Sequence, residues 1–391
     1  MMDKPRILVV TGHYLPGFRA GGPLRSVLNL VNSLGAEFEF FILTSDRDLG
    51  DSESYPDIRK GKWQDVGKAR VRYLGPAERG IRDVCRAIAD VEHDLLYLNS
   101  FFSPWGSIAP LVGRRLGLLS KQRILIAPRG EFSEGALALK RFKKRSYVQV
   151  ARAVGILPGL FWHASSSYES GDIRRVIRAR VEKVYVASNL SSPPAALGRF
   201  GDRNEDAGFH VAFLSRISPK KNLEYALDVL REVRVPVTFN IYGPAEDQGY
   251  WVRCQEKIAR LPAHVSAHYH GALTPRQVPA AMRANDLFFL PTRGENFGHV
   301  IAEALGVGTP VLISDQTPWR GLRDQGLGFD FALDQREQFV EVIERFGEMP
   351  PEERTQIRLD THAAVVKHWN DRDDVAAHRE MFRRVIEAGN G

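Results

Sequence analysis

Short apolar runs alternate with longer amphipathic stretches along almost the whole chain. Arg6–Thr11 and Phe38–Thr44 have the length and continuity of strands buried on both faces. Gly22–Leu34, between them, carries its apolar residues at helical spacing. Asp94–Leu98 and Arg123–Ala127 read as further strands. In the second half, His210–Ser215, Val237–Tyr242, Asp286–Leu290 and Pro310–Ser314 read as strands, and Asn222–Glu232, Pro275–Met282 and Phe297–Gly306 as helices. Strand–helix alternation of this kind predicts the α/β class, with open, mostly parallel sheets covered by helices.

The alternation stops at Ser188–Gly208, a stretch rich in Ser, Pro, Gly and charge, as an interdomain linker would be. At 391 residues the chain is too long for one ordinary core. The predicted plan is an N-terminal domain over 1–190, a linker over 191–208, a C-terminal domain over 209–370 and a closing segment over 371–391. Within that segment Asp371–Ala388 reads as one amphipathic helix that packs on its own domain or crosses back to the first.

Composition narrows the class. Hydrophobic residues at 43% and charged residues at 26% describe a folded globular chain. No apolar run reaches bilayer length, the start MMDKPRILVV lacks a leader pattern, and Cys85 and Cys254 are far apart. A cytoplasmic protein without a disulfide framework is expected. The net charge is +7, and Lys140, Arg141, Lys143, Lys144 and Arg145 crowd one predicted helix. That helix is either a solvated face or a peripheral contact with anionic lipid headgroups at the inner face of the cell membrane. Nucleic acid is not an expected partner, because no recognition motif accompanies the charge.

Four segments carry candidate chemistry. Asp286–Ser314 reads strand, polar loop, helix, strand, so Thr292–Asn296 falls at the carboxyl end of a strand, where open α/β sheets bind ligands. A helix starting near Phe297–Gly298 offers free N–H groups to a diphosphate, flanked by Glu295 and Glu303; surface acids near a helix start are also common without function. Phe213–Leu230 places Arg216 and Lys221 in a strand–helix turn, a planar fork and a point charge suited to a diphosphate, although exposed loops often carry such residues. Lys220 beside Lys221 leaves the register open. Gly12–Val31 is a loop containing Tyr14, Gly21 and Gly22; it has no clean G-x-G-x-x-G, and Asp46 is the sole acid that stands out after the second strand. Ala127–Arg145 puts Arg129 and Glu131 directly after a strand, where Glu131 binds a ligand hydroxyl or pairs with Arg129. Tyr242–Gly243 and His270–Gly271 end two further strands; a satisfied structural histidine is the simpler reading of His270. The histidines show no metal-ligand spacing.

The segment ENFGHVIAEALGVGTPV resembles the Glu-x7-Glu signature of family-four retaining glycosyltransferases (glycosyl transferases group 1). FLSRISPKKNLEYALDVL is similar to the Arg-x4-Lys element of the same family, and the loop at Gly21–Gly22 to its double-glycine loop. The resemblance covers nearly the whole chain. It implies the GT-B fold, with two Rossmann-like domains facing across a cleft. It also implies transfer of a sugar, with retention, from a nucleotide sugar to a polysaccharide or lipid-linked saccharide. Under it, Arg216, Lys221 and Glu295 are catalytic. Gly21, Gly22, Gly243, His270, Gly271, Asn296, Phe297, Gly298, His299 and Glu303 bind the donor, and Tyr14, Arg129 and Glu131 lie on the acceptor side. Many members carry a His where Arg129 and Glu131 stand; a subset resembling exopolysaccharide and O-antigen transferases does not. No metal or cofactor is implied; the UDP- or GDP-linked sugar is a substrate. A catalytically silent nucleotide-sugar-binding protein and a GT-B nucleotide-sugar epimerase are the alternatives.

Overall fold

The computed structural model describes residues 4–119, 123–138, 141–178, 180–195, 208–371 and 373–388. Most of the expected linker, and Lys140 of the basic helix, lie outside the described residues. The chain divides into two compact units, Met1–Leu190 with Asp373–Gly391, and Ser191–Arg372.

The first unit contains β1 (Arg6–Thr11), β2 (Glu39–Ser45), β3 (Trp63–Val66), β4 (Ala69–Leu74), β5 (Leu95–Asn99), β6 (Ile124–Ala127), β7 (Leu160–Ala164) and β8 (Val184–Val186). They form one sheet in the order β3-β4-β2-β1-β5-β6-β7-β8, parallel throughout except for the β3–β4 pair. The second unit contains β9 (His210–Leu214), β10 (Val237–Tyr242), β11 (Val265–Tyr269), β12 (Leu287–Leu290), β13 (Val311–Ser314) and β14 (Gly328–Phe331). Its sheet runs β11-β10-β9-β12-β13-β14, all parallel.

The apolar runs become central strands because helices cover both faces. In β1, Leu8 and Val10 belong to one core and Ile7 and Val9 to the other, all fully buried. Parallel pairing sends every carboxyl end to the same edge of its sheet. In both units strand order reverses beside the first strand, at β1/β5 and at β9/β12. The loops at such a reversal splay apart and leave a crevice at the carboxyl edge.

The segment expected as one helix over 371–388 is two. Pro351–Asp371 is a helix of the second unit, and Asp374–Glu387 one of the first. The break comes from Asp373, whose carboxylate accepts the Ala376 N–H at 3.0 Å and so starts a new helix. The last helix completes a core rather than lying on it: Met381, Phe382 and Val385 are buried with residues of β1, β2 and β5. The Phe382 ring meets Phe38 at 5.6 Å and Tyr97 at 5.7 Å, edge to face. Arg379 adds a bidentate pair to Glu37, at 2.6 and 2.8 Å, which is half-exposed and contributes little. No helix among the described residues is long and apolar enough to cross a membrane.

Two imidazoles meet under this helix. His378 lies 5.1 Å from His163, rings perpendicular, both buried. Each has a protein partner: His378 Nδ1 donates to the Asp374 carbonyl at 2.9 Å, and His163 Nε2 to that of Ala187 at 2.8 Å. Burial, together with the Arg129 charge, pushes His378 down to about 4 and His163 well below its ordinary range. Both are therefore neutral in the folded chain. On unfolding they protonate near 6.5, so the unfolded chain binds more protons between about 4 and 6.5.

Stability of the first unit is expected to rise with pH across that window and to be lost as pH falls through it. Urea denaturation at a series of pH values checks this, with His378→Leu expected to flatten the dependence by about 3 kcal/mol over the window. At pH 7.5, Phe382→Ala is expected to cost about 3–5 kcal/mol by the same measurement, as the emptying of a packed aromatic site does.

Candidate functional site

The strongest sequence signals converge at the β9/β12 reversal of the second unit. After β9 the chain turns through Ser215–Asn222 before its helix Leu223–Leu230. After β12 it runs through Pro291–Gly298 to the helix His299–Leu305. The two loops are stitched together. Arg293 N–H and Thr292 Oγ1 both donate to the Lys220 carbonyl, at 2.8 and 3.1 Å, and Asn222 Nδ2 donates to the Pro291 carbonyl at 3.0 Å. Asn222 accomplishes this with φ of 63°, a left-handed turn that Asn tolerates well.

This stitching sets Lys221 against Glu295, 74 residues away in sequence. Lys221 Nζ donates to Glu295 Oε1, and both side chains are only about an eighth exposed, at 13% and 12%. The choice between the two lysines is thereby made: Lys221 enters the site and Lys220 is exposed. Glu295 is fixed again through its backbone N–H, which donates to the Gln316 carbonyl after β13 at 2.9 Å. Arg216 is exposed beside Glu246 at 3.3 Å, at the same carboxyl edge. An exposed cation paired with a surface acid can turn to a stronger anion at little cost.

The helix start differs from expectation. The helix begins at His299, not at Phe297, and has seven residues. Gly298 is its N-cap with φ of 82°, which a β-carbon would strain. Glu303 thus sits one turn in, half-buried. The Phe297 carbonyl is held by Trp319 Nε1 at 2.7 Å, and the Phe297 ring is buried. Phe297 therefore shapes the turn, while Asn296 and His299 are partly exposed on either side of it.

Gly243 and Gly271 close the other side of β9. Gly243 has φ of 130°, and a β-carbon there would stand 1.8 Å from the Ser215 carbonyl oxygen. Only glycine lets the ends of β9 and β10 approach in this way. Its N–H donates to the Gly271 carbonyl at 2.7 Å. The His270 ring stacks on Tyr242 at 4.8 Å and pairs through Nε2 with Asn240 Oδ1 at 2.8 Å. Its ring is thus engaged by Tyr242 and Asn240, although the residue is exposed.

In the first unit Gly21 and Gly22 open the helix Gly22–Leu34; Gly21 has φ of 63° and no atom within 4 Å of where its β-carbon would be. Asp48, not among the candidates read from sequence, holds this loop by accepting the Phe18 and Arg19 N–H groups at 2.8 and 3.2 Å. Asp46 is buried between Arg47 and Arg79, at 2.9 and 3.7 Å, and is committed there. Tyr14 requires correction. Its ring is 1% exposed and packs in the core with residues of β1 and β2, so it cannot face an acceptor.

Glu131 requires correction too. It neither pairs with Arg129 nor points free. Its carboxylate accepts Ser100 Oγ at 2.7 Å on one oxygen and the N–H groups of Phe101 and Phe102 at 2.6 and 3.1 Å on the other; burial nonetheless pushes its carboxyl up. Glu169 accepts the N–H groups of Ser165 and Gly130 at 2.8 and 2.5 Å. Between these two carboxylates the chain turns left-handed at Arg129 and Gly130, φ 56° and 77°. Arg129 then donates to Asn99 Oδ1 at 2.6 Å, to Tyr97 Oη at 2.8 Å and to Asn189. It is a rigidly held cation at the carboxyl ends of β5 and β6. No cluster of three His, Cys, Asp or Glu that could hold a metal occurs among the described residues.

Comparison with known proteins places this geometry. Residues 200–360 match the family model of glycosyl transferases group 1. A Klebsiella pneumoniae protein described as an uncharacterized 41.2 kDa protein in the cps region is 24% identical over 262 residues, 64% of this chain and 68% of that protein. The Mycobacterium tuberculosis phosphatidyl-myo-inositol mannosyltransferase is 35% identical over 133 residues; the match spans 32% of this chain and about a third, 34%, of that enzyme. Sucrose-phosphate synthase from Thermosynechococcus elongatus superposes with a TM-score of 0.72 at 16% identity, over 98% of this chain and 100% of that one. Anabaena HepE, solved in complex with UDP-glucose, superposes with a TM-score of 0.67 at 17% identity, over 97% and 99%.

Proposed function

From a chain that has the GT-B fold and matches, over residues 200–360, the family model of glycosyl transferases group 1, we propose a specific reaction. The protein moves a hexose from a UDP- or GDP-linked donor to a saccharide acceptor with retention at the anomeric carbon. The observation that carries this reading is the Lys221–Glu295 pair at the β9/β12 reversal, with Arg216 on the same edge.

In this reading the donor diphosphate lies against Lys221 and Arg216. As the bond between the anomeric carbon and the diphosphate oxygen breaks, negative charge grows on that oxygen. Fixed cations already aimed at it lower the barrier, because they need no reorganisation when the charge appears. Lys221 is pre-positioned by Glu295, and the diphosphate takes over part of that partnership. Glu295 then turns to the donor sugar and Glu303 to the ribose hydroxyls. The acceptor hydroxyl forms the new bond, and its proton passes to the departing diphosphate. The scheme calls on no metal ion and no cofactor. Arg129 stands on the acceptor side.

A polysaccharide or lipid-linked acceptor is supported by the cps-region and phosphatidylinositol relatives. The helix Arg141–Ala153 adds a second support for an acceptor at a membrane. It presents Phe142, 88% exposed, beside exposed Lys143 and Arg145, an apolar wedge between cations. Lys144 does not join them: it folds back onto the Phe102 ring at 5.1 Å and donates to the Ala136 carbonyl at 2.7 Å.

Two measurements test the proposal. In a thermal-shift series with UDP, GDP and ADP and their sugars, one nucleotide series is expected to raise the melting temperature. Arg216→Ala, at an exposed position, is expected to weaken that ligand about tenfold, and Lys221→Ala more; no shift with any nucleotide sinks the donor reading. For the membrane, Phe142→Ser with Lys143→Glu and Arg145→Glu is expected to abolish co-sedimentation with anionic vesicles, and undiminished sedimentation removes this helix from the account.

A further inference from the structure

The edge of the first sheet opposite its carboxyl ends carries a cavity that the transfer reaction does not use. It has a volume of about 670 Å³, within the range of small-molecule sites, and opens at the amino ends of β5, β6, β7 and β8. Four cations line it from three separate segments: Arg114 and Arg115 at the end of the helix Ala109–Arg115, Arg123 before β6 and Lys183 before β8. The one acid in the lining, Asp94, is already engaged by the Arg6 backbone N–H at 2.8 Å.

Ordinary structure explains part of this charge. Arg114 and Arg115 lie in the last turn of a helix, where the macrodipole favours cations. It does not explain why Arg123 and Lys183, from elsewhere in the fold, face the same space. Nor does it explain the state of Arg114. Its Nη1 is buried without a hydrogen-bond partner, and its burial makes the charge costly to keep. Arg115 finds only the Val154 carbonyl, at 2.9 Å, and Lys183 only the face of Phe161, at 5.3 Å. None of these three has a carboxylate partner among the described residues. The wall has been shaped around the guanidinium as well. Gly159 has φ of 79°, and a β-carbon there would stand 2.8 Å from Arg114 Nη2.

Like charges gathered in a partly buried space repel one another, and an anion in their midst removes both that repulsion and the uncompensated desolvation. We infer that this cavity is a second anion site, which takes a phosphate or diphosphate group carried on a compact organic body. The apolar part of the wall, Ile156, Pro158 and Phe161, receives the body. The site lies in the first unit, whereas the proposed donor diphosphate site lies in the second.

The test uses the full chain carrying Arg216→Ala and Lys221→Ala, so that the donor site lacks both of its diphosphate cations. Sodium pyrophosphate, a nucleoside diphosphate and a short-chain prenyl diphosphate are titrated calorimetrically at constant ionic strength. Saturable binding is expected, tighter for the nucleoside diphosphate or the prenyl diphosphate than for pyrophosphate; binding of pyrophosphate with no gain for either larger ligand overturns the organic body. Arg115→Gln, at an exposed position, and Lys183→Gln are each expected to weaken binding about tenfold while leaving the melting temperature of the free protein in place. Absence of saturable binding for all three, or equal affinity in both variants, overturns the assignment. Because the background already lacks the donor cations, a failed donor reading and a failed second site give different results.

Discussion

Lys221 and Glu295 are each half of an arrangement that neither could hold alone. A lysine nearly withdrawn from water loses solvation that only an acid or an anion restores, and the same holds for the carboxylate. The pair is set by backbone, because the loops after β9 and β12 share the Lys220 and Pro291 carbonyls before either side chain is considered. Those loops lie together only because β9 and β12 are neighbours at the reversal of strand order. The site is thus a consequence of topology. Parallel pairing brings two distant segments to one edge, the shared carbonyls fix their register, and the buried pair holds two opposite charges where a diphosphate and its sugar would need them.

The first unit treats its carboxyl edge differently. There Glu131 and Glu169 act as clamps, each accepting backbone N–H groups, and they force the left-handed turn that aims Arg129. The guanidinium then ties β5 to the chain at Asn189 and, through Tyr97, to His163 beneath the last helix. Arg129 is therefore a cation braced by three hydrogen bonds. Arg129 cannot act as a base; it can hold charge or a hydroxyl in one place. Its link to His163 also couples the carboxyl edge to the packing of the C-terminal helix.

How much of this was legible in the sequence depended on the range over which each contact acts. Strand β1 and the helix Gly22–Leu34 match their expected limits, because apolar periodicity and a Gly-Gly-Pro start are local signals. Lys221 and Glu295 were reachable as candidates because each stands in a recognisable segment, yet their direct pairing was not, since it depends on which strands are neighbours. Tyr14 failed for a related reason: a tyrosine in a glycine-containing loop reads as exposed, and only the path of that loop over the core shows its ring inside. Glu131 failed because its partners are backbone N–H groups of another strand's loop, which leave no trace in residue type. The break at Asp373 was a missed local signal; an Asp three residues before Ala376 is an ordinary helix cap, masked by apolar spacing that continues through it.

The two edges of a parallel sheet are not equivalent, and this chain places charge on both. At a carboxyl edge the following helices begin, so their free N–H groups favour anions and added cations need acceptors, as Lys221 has in Glu295, Arg216 in Glu246 and Arg129 in Asn99, Tyr97 and Asn189. At an amino edge the preceding helices end, their free carbonyls favour cations, and no acid is needed to keep a lysine or arginine there. Arg114 and Arg115 follow that rule at the close of their helix. What exceeds it is the convergence of Arg123 and Lys183 on the same cavity and the shaping of Gly159 to the Arg114 guanidinium. Helix dipoles can gather cations at an edge, but they do not carve a space between them. A cavity of about 670 Å³ lined by four cations, with a single acid, Asp94, that already accepts the Arg6 N–H, has the form that the proposed anion site requires.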